Sequence, residues 1–243
     1  MINITYAKLT GIGGRETNED STTIAPQGDS CCFVVADGLG GHGRGEVASQ
    51  TVTAVFESEF ARNEQNADEF LRHAFTAAQN AVMDLQRAEH ARFEMKTTAV
   101  ALVIVGEKCA WGHIGDSRLY MFKKNKVKVR TLDHSVPQML ALSGEISEKK
   151  IRKHPDRNKL LRVIGIEWDS PRFEVSNELA LSDCQAFLLC SDGFWELVDE
   201  KRMCSFLKKA QDADDWLRMM NAEVEKNGAG TDMDNYTAIT VIL

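Results

Sequence analysis

The stretch from Thr98 to Thr131 constrains the fold more than any other. Four apolar or alternating segments, TAVALVIV (98–105), CAWGHI (109–114), SRLYMF (117–122) and KVKVRT (126–131), follow one another almost without interruption. The polar breaks Gly106-Glu107-Lys108 and Lys123-Lys124-Asn125 are only three residues long, which permits antiparallel pairing and nothing else, since a parallel crossover needs a dozen residues or more. INITYAKL (2–9), STTIA (21–25), CCFVVA (31–36), AFLLCS (186–191) and YTAITVIL (236–243) read as further strands. Several are apolar at every position, so both of their faces must be covered. Helical spacing supplies the cover, first in Val47, Ala48, Thr51, Val52, Val55 and Phe56, then in Phe70, Leu71, Ala74, Phe75, Ala78, Val82 and Leu85. Asn66 with Glu69 three residues on predicts a capping pair for the second helix, and the short polar ARNEQNA predicts antiparallel neighbours. Helical patterns fill 199–227, whereas 135–160 is polar and only weakly helical. Strands grouped apart from helices predict an α+β fold.

One strand ends in an unusual way. FVVADGLGGHGRG (33–45) closes an apolar run with Asp37 and then places five glycines in eight residues. An ionised carboxylate is costly to hold there, and the glycines leave it uncovered. Two readings compete: a glycine loop for phosphate, or a carboxylate for a metal. Gly38 to Gly43 does match G-x-G-x-x-G, but a dinucleotide loop needs a second parallel strand ending in an acid about twenty residues on. This chain is still helical there, around Glu57 and Glu59, and no G-K-[ST] follows.

The metal reading gains because the pattern recurs. LLCSDGFW (188–195) repeats a buried strand, then Asp192, then glycine; Asp116 sits in the turn HIGDSR; Asp234 stands directly before the last strand. One Asp-Gly is merely a turn signal, but four acids at strand ends can converge on one edge of stacked sheets. Carboxylates so clustered repel one another unless cations neutralise them, and an all-oxygen set suits Mg²⁺ or Mn²⁺ over zinc or copper. A net charge of -7, from 29 basic and 36 acidic residues, argues against a nucleic-acid binder. No apolar run spans a bilayer, and MINITYAKLT lacks a signal-peptide layout. Six cysteines without metal-type spacing read as buried free thiols in a reducing cytoplasm.

These motifs together resemble the metal-dependent protein phosphatases of the type 2C Ser/Thr family in their compact bacterial form. The resemblance runs in order through RETNED (15–20), VVADGLGGHGRGE, KTTAV (96–100), HIGDSRLY (113–120), TLDHS (131–135), RVIG (162–165), LLCSDGFWE (188–196) and DNYTAI (234–239). It implies one catalytic domain over 1–243, built as two stacked antiparallel β-sheets flanked by pairs of antiparallel helices, with a flap at about 135–160. It implies that Asp37 bridges two metal ions, with the Gly38 carbonyl oxygen on the second, where glycine lets the backbone approach a cation. Asp192 and Asp234 match the remaining ligands of the first metal, and Asp116 the acid of a weaker third site. Glu19 and Asp20 match acids that hold metal-bound waters, and Asn235 supports Asp234. Arg15 matches the residue that grips the substrate phosphate, where its planar fork bonds two oxygens at once.

The implied reaction is hydrolysis of phosphoserine or phosphothreonine by a hydroxide bridging two Mn²⁺ or Mg²⁺ ions. No protein nucleophile is then required. Cys190, beside Asp192 and without a phosphate loop, does not resemble a tyrosine-phosphatase thiolate. Many eukaryotic relatives carry a histidine after the first Asp-Gly; here Leu39 stands there, and His42 is the nearest replacement as proton donor. His113 and His134 read as structural histidines. Six Lys or Arg between 149 and 159 give the flap a basic patch that can recruit phosphorylated protein or can simply be a solvated helix face. The expected partners are phosphoprotein substrates and a cognate bacterial Ser/Thr kinase, for a monomer without nucleic-acid or membrane contacts. The alternative is a catalytically inactive member acting as a phosphoprotein-binding regulatory module.

Overall fold

What lies on the two faces of each strand explains its apolar character. The computed structural model describes residues 4–40, 43–62 and 66–243. One sheet runs in the order β1 (Thr5–Gly11), β11 (Tyr236–Ile242), β10 (Ala186–Cys190), β6 (Arg118–Lys123), β7 (Lys126–Arg130). The other runs β2 (Asp20–Gln27), β3 (Ser30–Asp37), β4 (Ala99–Val105), β5 (Lys108–Ile114), β8 (Glu174–Val175), with β9 (Leu179–Ala180) also on β5. Every pairing is antiparallel. In β3 the alternation is direct: Phe33 and Val35 enter the layer between the sheets, while Cys32, Val34 and Ala36 face the helices. Leu119, Met121, Phe187, Leu189, Ile239 and Val241 fill the inter-sheet layer from the opposite side.

A helix pair covers each outer face. Helices α1 (Gly45–Phe60) and α2 (Ala67–Ala88) bury Val52, Phe56, Phe70 and Phe75 against the sheet that holds β3. Phe56 meets Phe70 and Phe75 edge to face at 6.3 and 5.1 Å. Burying each such ring stabilises the fold by roughly 1.5–3 kcal/mol. Helices α5 (Glu200–Leu207) and α6 (Ala213–Gly228) cover the other sheet with Met203, Trp216 and Met220 over Phe122 and Leu188. Two shorter helices, α3 (Val136–Leu142) and α4 (Asp192–Trp195), and a 3₁₀ turn at Glu148–Lys153 lie in the connections.

The α+β sandwich therefore stands as read from the sequence, with four local differences. Asn66 is the N-cap residue of α2, but its side chain makes no capping bond. The helical stretch 199–227 is two helices, because Asp212 accepts a hydrogen bond from the Asp215 backbone N–H and starts a new one; Asp199 does the same for α5. Two-residue strands β8 and β9 carry too little pattern to be read. The weakly helical 135–160 contains a true turn of α-helix, started by Pro137 and by Ser135 accepting from the Gln138 N–H. The tight turn before β7 is as expected: Lys124 and Asn125 both adopt positive φ, 52° and 55°, which suits a two-residue hairpin.

Strand direction gathers the acids. β10 ends beside the starts of its two neighbours, with Cys190 opposite both Arg118 and Ala238. Asp192 follows β10, while Asp116 precedes β6 and Asp234 precedes β11, so antiparallel order brings all three to one edge. In the facing sheet the register pairs Asp20, at the start of β2, with Asp37 at the end of β3.

Candidate metal centre

At that shared edge a cavity of about 420 Å³ is lined by Asp37, Gly38, Asp116, Asp192 and Asp234, with Glu19, Arg15 and Asn235 at its wall. The expected site residues outside it are Asp20, directly behind Asp37 in the β2–β3 ladder, and His42, which lies outside the described residues.

Backbone bonds hold Asp37 in place. Its carbonyl accepts from the Thr98 N–H at 2.9 Å and the Thr97 hydroxyl at 2.8 Å, and its N–H donates to Thr98 Oγ1 at 3.2 Å. Gly38 is glycine for a reason the sequence did not disclose. A β-carbon there would lie 2.3 Å from the Gly45 carbonyl oxygen and 2.6 Å from that of Glu19. The two loops meet backbone to backbone, whether or not a cation is near. Gly193 repeats the device, with the Asn235 carbonyl oxygen 2.1 Å from where its β-carbon would be.

Asn235 fastens the loop that carries Arg15 and Glu19. Its side-chain N–H groups donate to the carbonyls of Ile12 and Thr17, its Oδ1 accepts from the Glu19 N–H at 2.8 Å, and its own N–H donates to Asp234 Oδ1 at 2.8 Å. These bonds tie Asp234, Glu19 and the 12–17 loop together through one side chain. Ser191 donates to Asp20 Oδ2 at 2.8 Å, yet Asp20 Oδ1 is buried with no hydrogen-bond partner. Trp195 Nε1 donates to the Asp116 carbonyl at 3.0 Å and so sets the turn that presents Asp116.

The electrostatics are those of an uncompensated acidic cluster. Burial first, and then the neighbouring carboxylates, hold Asp37 and Asp116 well above the usual range. Burial and then Asp234 push Asp192 up to about 6. Burial pushes Asp20 up to about 7 despite its bond from Ser191. Glu19 is raised by burial and then by Glu46 and Asp234. Among the described residues none of Asp20, Asp37, Asp116 and Asp192 has an ion-pair partner, and Arg15 reaches only Asp234, at 3.0 Å. The donor set is all oxygen, buried and short of positive charge, so it fits hard divalent cations.

Sequence reasoning missed several wall residues: Thr17 and Gly40, and Asn158 and Leu160 from the flap. They carry no charge pattern; the Ser135–Leu160 bridge and the Val136 N–H bond to the Lys159 carbonyl join the two ends of the 135–160 segment. His113 and His134 stack at 4.7 Å, and with Glu174 their ligand atoms lie within 4.8 Å of one another. Protein partners already engage these groups. The Gly115 N–H donates to His134 Nδ1, leaving the Nε2 proton for Glu174 at 3.2 Å, and Arg162 supplies that carboxylate's cation at 3.3 Å. His113 Nε2 donates to the Leu132 carbonyl at 2.8 Å. These are structural histidines.

The fold of stacked antiparallel sheets is shared with bacterial serine/threonine phosphatases of known structure. Stp1 from Staphylococcus aureus superimposes with a TM-score of 0.88 at 26% identity, over 98% of this chain and 94% of that one. The catalytic domain of PstP in complex with two manganese ions gives 0.79 at 25%, over 98% and 97%. In sequence, the serine/threonine phosphatase stp of Listeria welshimeri is 31% identical over 201 residues, 80% of this chain and 79% of that protein. PstP of Mycobacterium tuberculosis is 30% identical over 93% of this chain, which spans 42% of PstP. The family profile described as protein phosphatase 2C matches residues 12–229, and the chain belongs to that family. Among the described residues no helix is long and apolar enough to cross a membrane.

Proposed function

We propose that this protein is a metal-dependent serine/threonine phosphatase acting on phosphoproteins. The observation that carries the reading is the convergence of Asp37, Asp116, Asp192 and Asp234 on one cavity that has Arg15 at its mouth. Asp37, the Gly38 carbonyl, Asp192 and Asp234 would hold two Mn²⁺ or Mg²⁺ ions, and Asp116 a weaker third. Such ions supply neutralising charge and an activated water to phosphate-ester hydrolysis.

The chain's own residues bind, orient and support. Arg15 sits on Asp234 through one guanidinium nitrogen, which leaves the rest of its donor fork for phosphate oxygens. Glu19, fixed through its backbone by Asn235, and Asp20, behind Asp37, orient water at the cavity wall. Residues 135–160 act as a flap over the cavity of a single catalytic domain, 1–243. Six cysteines without a disulfide support a reducing, cytoplasmic setting, where a Ser/Thr kinase supplies the substrates. We take the working unit to be a monomer.

Hydrolysis of p-nitrophenyl phosphate and of a phosphothreonine peptide, with Mn²⁺ and with EDTA, tests this. Turnover that requires the cation is expected. Phosphopeptide binding without turnover under any divalent ion would favour the inactive binding module instead.

A further inference from the structure

A second groove, away from the acidic cavity, collects the opposite charge. It encloses about 670 Å³ between β7, the 3₁₀ turn of the flap and the start of α5. Six cationic side chains line it, Arg118, Lys128, Arg130, Lys149, Arg152 and Lys201, against three acids, Glu148, Asp199 and Glu200. On a protein of net charge -7 this is a local reversal of sign.

Three of these cations are already paired, Arg118 and Arg130 with Asp133 and Arg152 with Glu200, but the three lysines are not. Lys128, Lys149 and Lys201 are exposed, and none forms an ion pair among the described residues. Arg130 is held rigidly, its side chain 14% exposed, with Nη1 3.6 Å from Asp133 Oδ1 and Nη2 donating to Gln138 Oε1 at 3.2 Å. Its Nη2 donates to Glu148 Oε1 at 3.3 Å, and that glutamate, 65% exposed, comes from the flap itself. Glu148 thus occupies Arg130 with a carboxylate, the group a partner would bring. Arg152, which lines the same groove, bonds Glu200 and the Val198 carbonyl and so ties the flap to the segment after Asp192. Arg152 and Asn158 of the acidic cavity are six residues apart, so at most about 20 Å separates their backbones even if the chain is fully extended.

We propose that this groove is a docking subsite for an acidic segment of the protein substrate, engaging its carboxylate or phosphate groups at a distance from the phosphate being cleaved. This rests on the phosphatase reading above. Lysines on a rim with a fixed arginine at the floor act mainly through long-range attraction, which raises the capture of acidic partners and fades with salt. A small ester such as p-nitrophenyl phosphate cannot span both sites, so the groove acts on peptides alone.

The test uses the full chain and a fluorescein-labelled, unphosphorylated, glutamate-rich peptide, read by anisotropy. The triple variant Lys128→Glu, Lys149→Glu, Lys201→Glu should bind it about tenfold or more weakly, in keeping with loss of rim charge. A control reversal of Lys208, Lys209 and Lys226, which lie outside the groove, should bind nearly as wild type. Glu148→Gln should bind more tightly, because it frees Arg130. The same variants should change kcat/KM for a phosphothreonine peptide bearing acidic residues in the same order, and leave kcat/KM for p-nitrophenyl phosphate unchanged. Adding a phosphoserine to the acidic segment asks whether phosphate or carboxylate is the better occupant. Equal weakening by the control reversal, or no weakening by the triple variant, would overturn the proposal. If the triple variant does not fold, Glu148→Gln decides, and unchanged or weaker binding rejects the subsite. Absence of p-nitrophenyl phosphate turnover by wild type would instead count against the phosphatase reading, independently of peptide binding.

Discussion

Two buried charged clusters lie a few residues apart in this molecule, and the chain completes only one of them. Arg118 donates two bonds to Asp133, at 2.7 and 2.6 Å, and a third to the Tyr120 hydroxyl, while its guanidinium lies 3.4 Å over the Trp195 ring. The pair is almost wholly enclosed, with side chains 4% and 1% exposed. Two residues before Arg118, Asp116 has no such partner, nor do Asp37 and Asp192 beside it. Both clusters bear the cost of removing charge from water. The first settles that cost inside the fold. The second leaves it open, and an open cost of this kind is how a protein marks the place of a ligand.

The largest expected effect comes from removing a carboxylate of the open cluster. Asp37→Asn or Asp192→Asn should lower turnover by more than about a hundredfold, beyond what residues behind a ligand usually cost. The same change should raise the melting temperature of metal-free protein, since a like charge leaves a crowded group. Wild-type turnover at saturating Mn²⁺ in either variant would break the comparison from the ligand side.

In the closed cluster the sign inverts. Arg118→Met should cost roughly 3–5 kcal/mol in denaturant unfolding, because buried Asp133 loses both of its close hydrogen bonds and keeps only Arg130, 3.6 Å away. Replacing both partners together, Arg118→Met with Asp133→Leu, should recover much of that loss. Failure of the double variant to recover would assign the cost to the Trp195 and Tyr120 contacts and not to charge.

Arg15 joins the open cluster from its exposed rim. Arg15→Ala should raise KM for a phosphothreonine peptide about tenfold to a hundredfold, as for one charge-assisted hydrogen-bonded group worth about 1.5–3 kcal/mol. Its partner Asp234 is 42% exposed, so folding stability should barely change. Calorimetry should show metal affinity near wild type, and a large loss there would reassign Arg15 to the scaffold.

The smallest effect is a slope of stability with pH. Asp20 and Asp192, at about 7 and 6, titrate above their unfolded values, so their contribution is full at low pH and is lost as pH rises through that window. His134 works the other way. Burial, then His113, lowers it to about 4, so its contribution is full above its unfolded value and is lost as pH falls toward 4. The metal-free protein should therefore melt higher as pH drops from about 8 through about 6, with a shallower rise below about pH 6.5 where the histidine opposes the trend. At about 2–4 °C per kcal/mol for a chain of this size, the rise is measurable by calorimetry. Saturating Mn²⁺ should abolish that rise and expose the histidine's own loss of stability below about pH 6.5. A metal-free protein that melts at one temperature throughout would contradict the uncompensated cluster.

The open cluster was largely legible in the sequence and the closed one was not. Asp37 closes and Asp192 closely follows a fully apolar run, residues 31–36 and Ala186–Cys190, and such a run leading into Asp-Gly stands out locally. Nothing local shows that Arg118 will meet Asp133, since Arg118 opens β6, Asp133 follows β7, and their partnership exists only once those strands pair. Strand positions were legible but sheet order was not: the four strands of 98–131 read as one continuous meander, and the structure divides them, β4 and β5 in one sheet and β6 and β7 in the other. The strands β8 and β9 escaped because two residues hold no period. Gly38 shows a further limit. The residue was singled out correctly, but the contact that requires it comes from Gly45 and Glu19, seven and nineteen positions away.

The place of β11 has a consequence for how the chain leaves the ribosome. This late strand lies between β1 and β10, pairing Thr5 with Ile242 on one side and Ala186 with Ile242 on the other. Until it emerges, β1 has no neighbour in its sheet, and Asp234 has not joined the acids that wait at the edge. Contacts of such long sequence separation form late, because the intervening chain must first be closed into a loop. A nascent chain stalled just before residue 234 therefore carries most of its hydrophobic core but lacks Asp234 from the cavity wall. The acidic cavity is finished only when the strand that ties β1 to β10 has paired, among the latest events of folding.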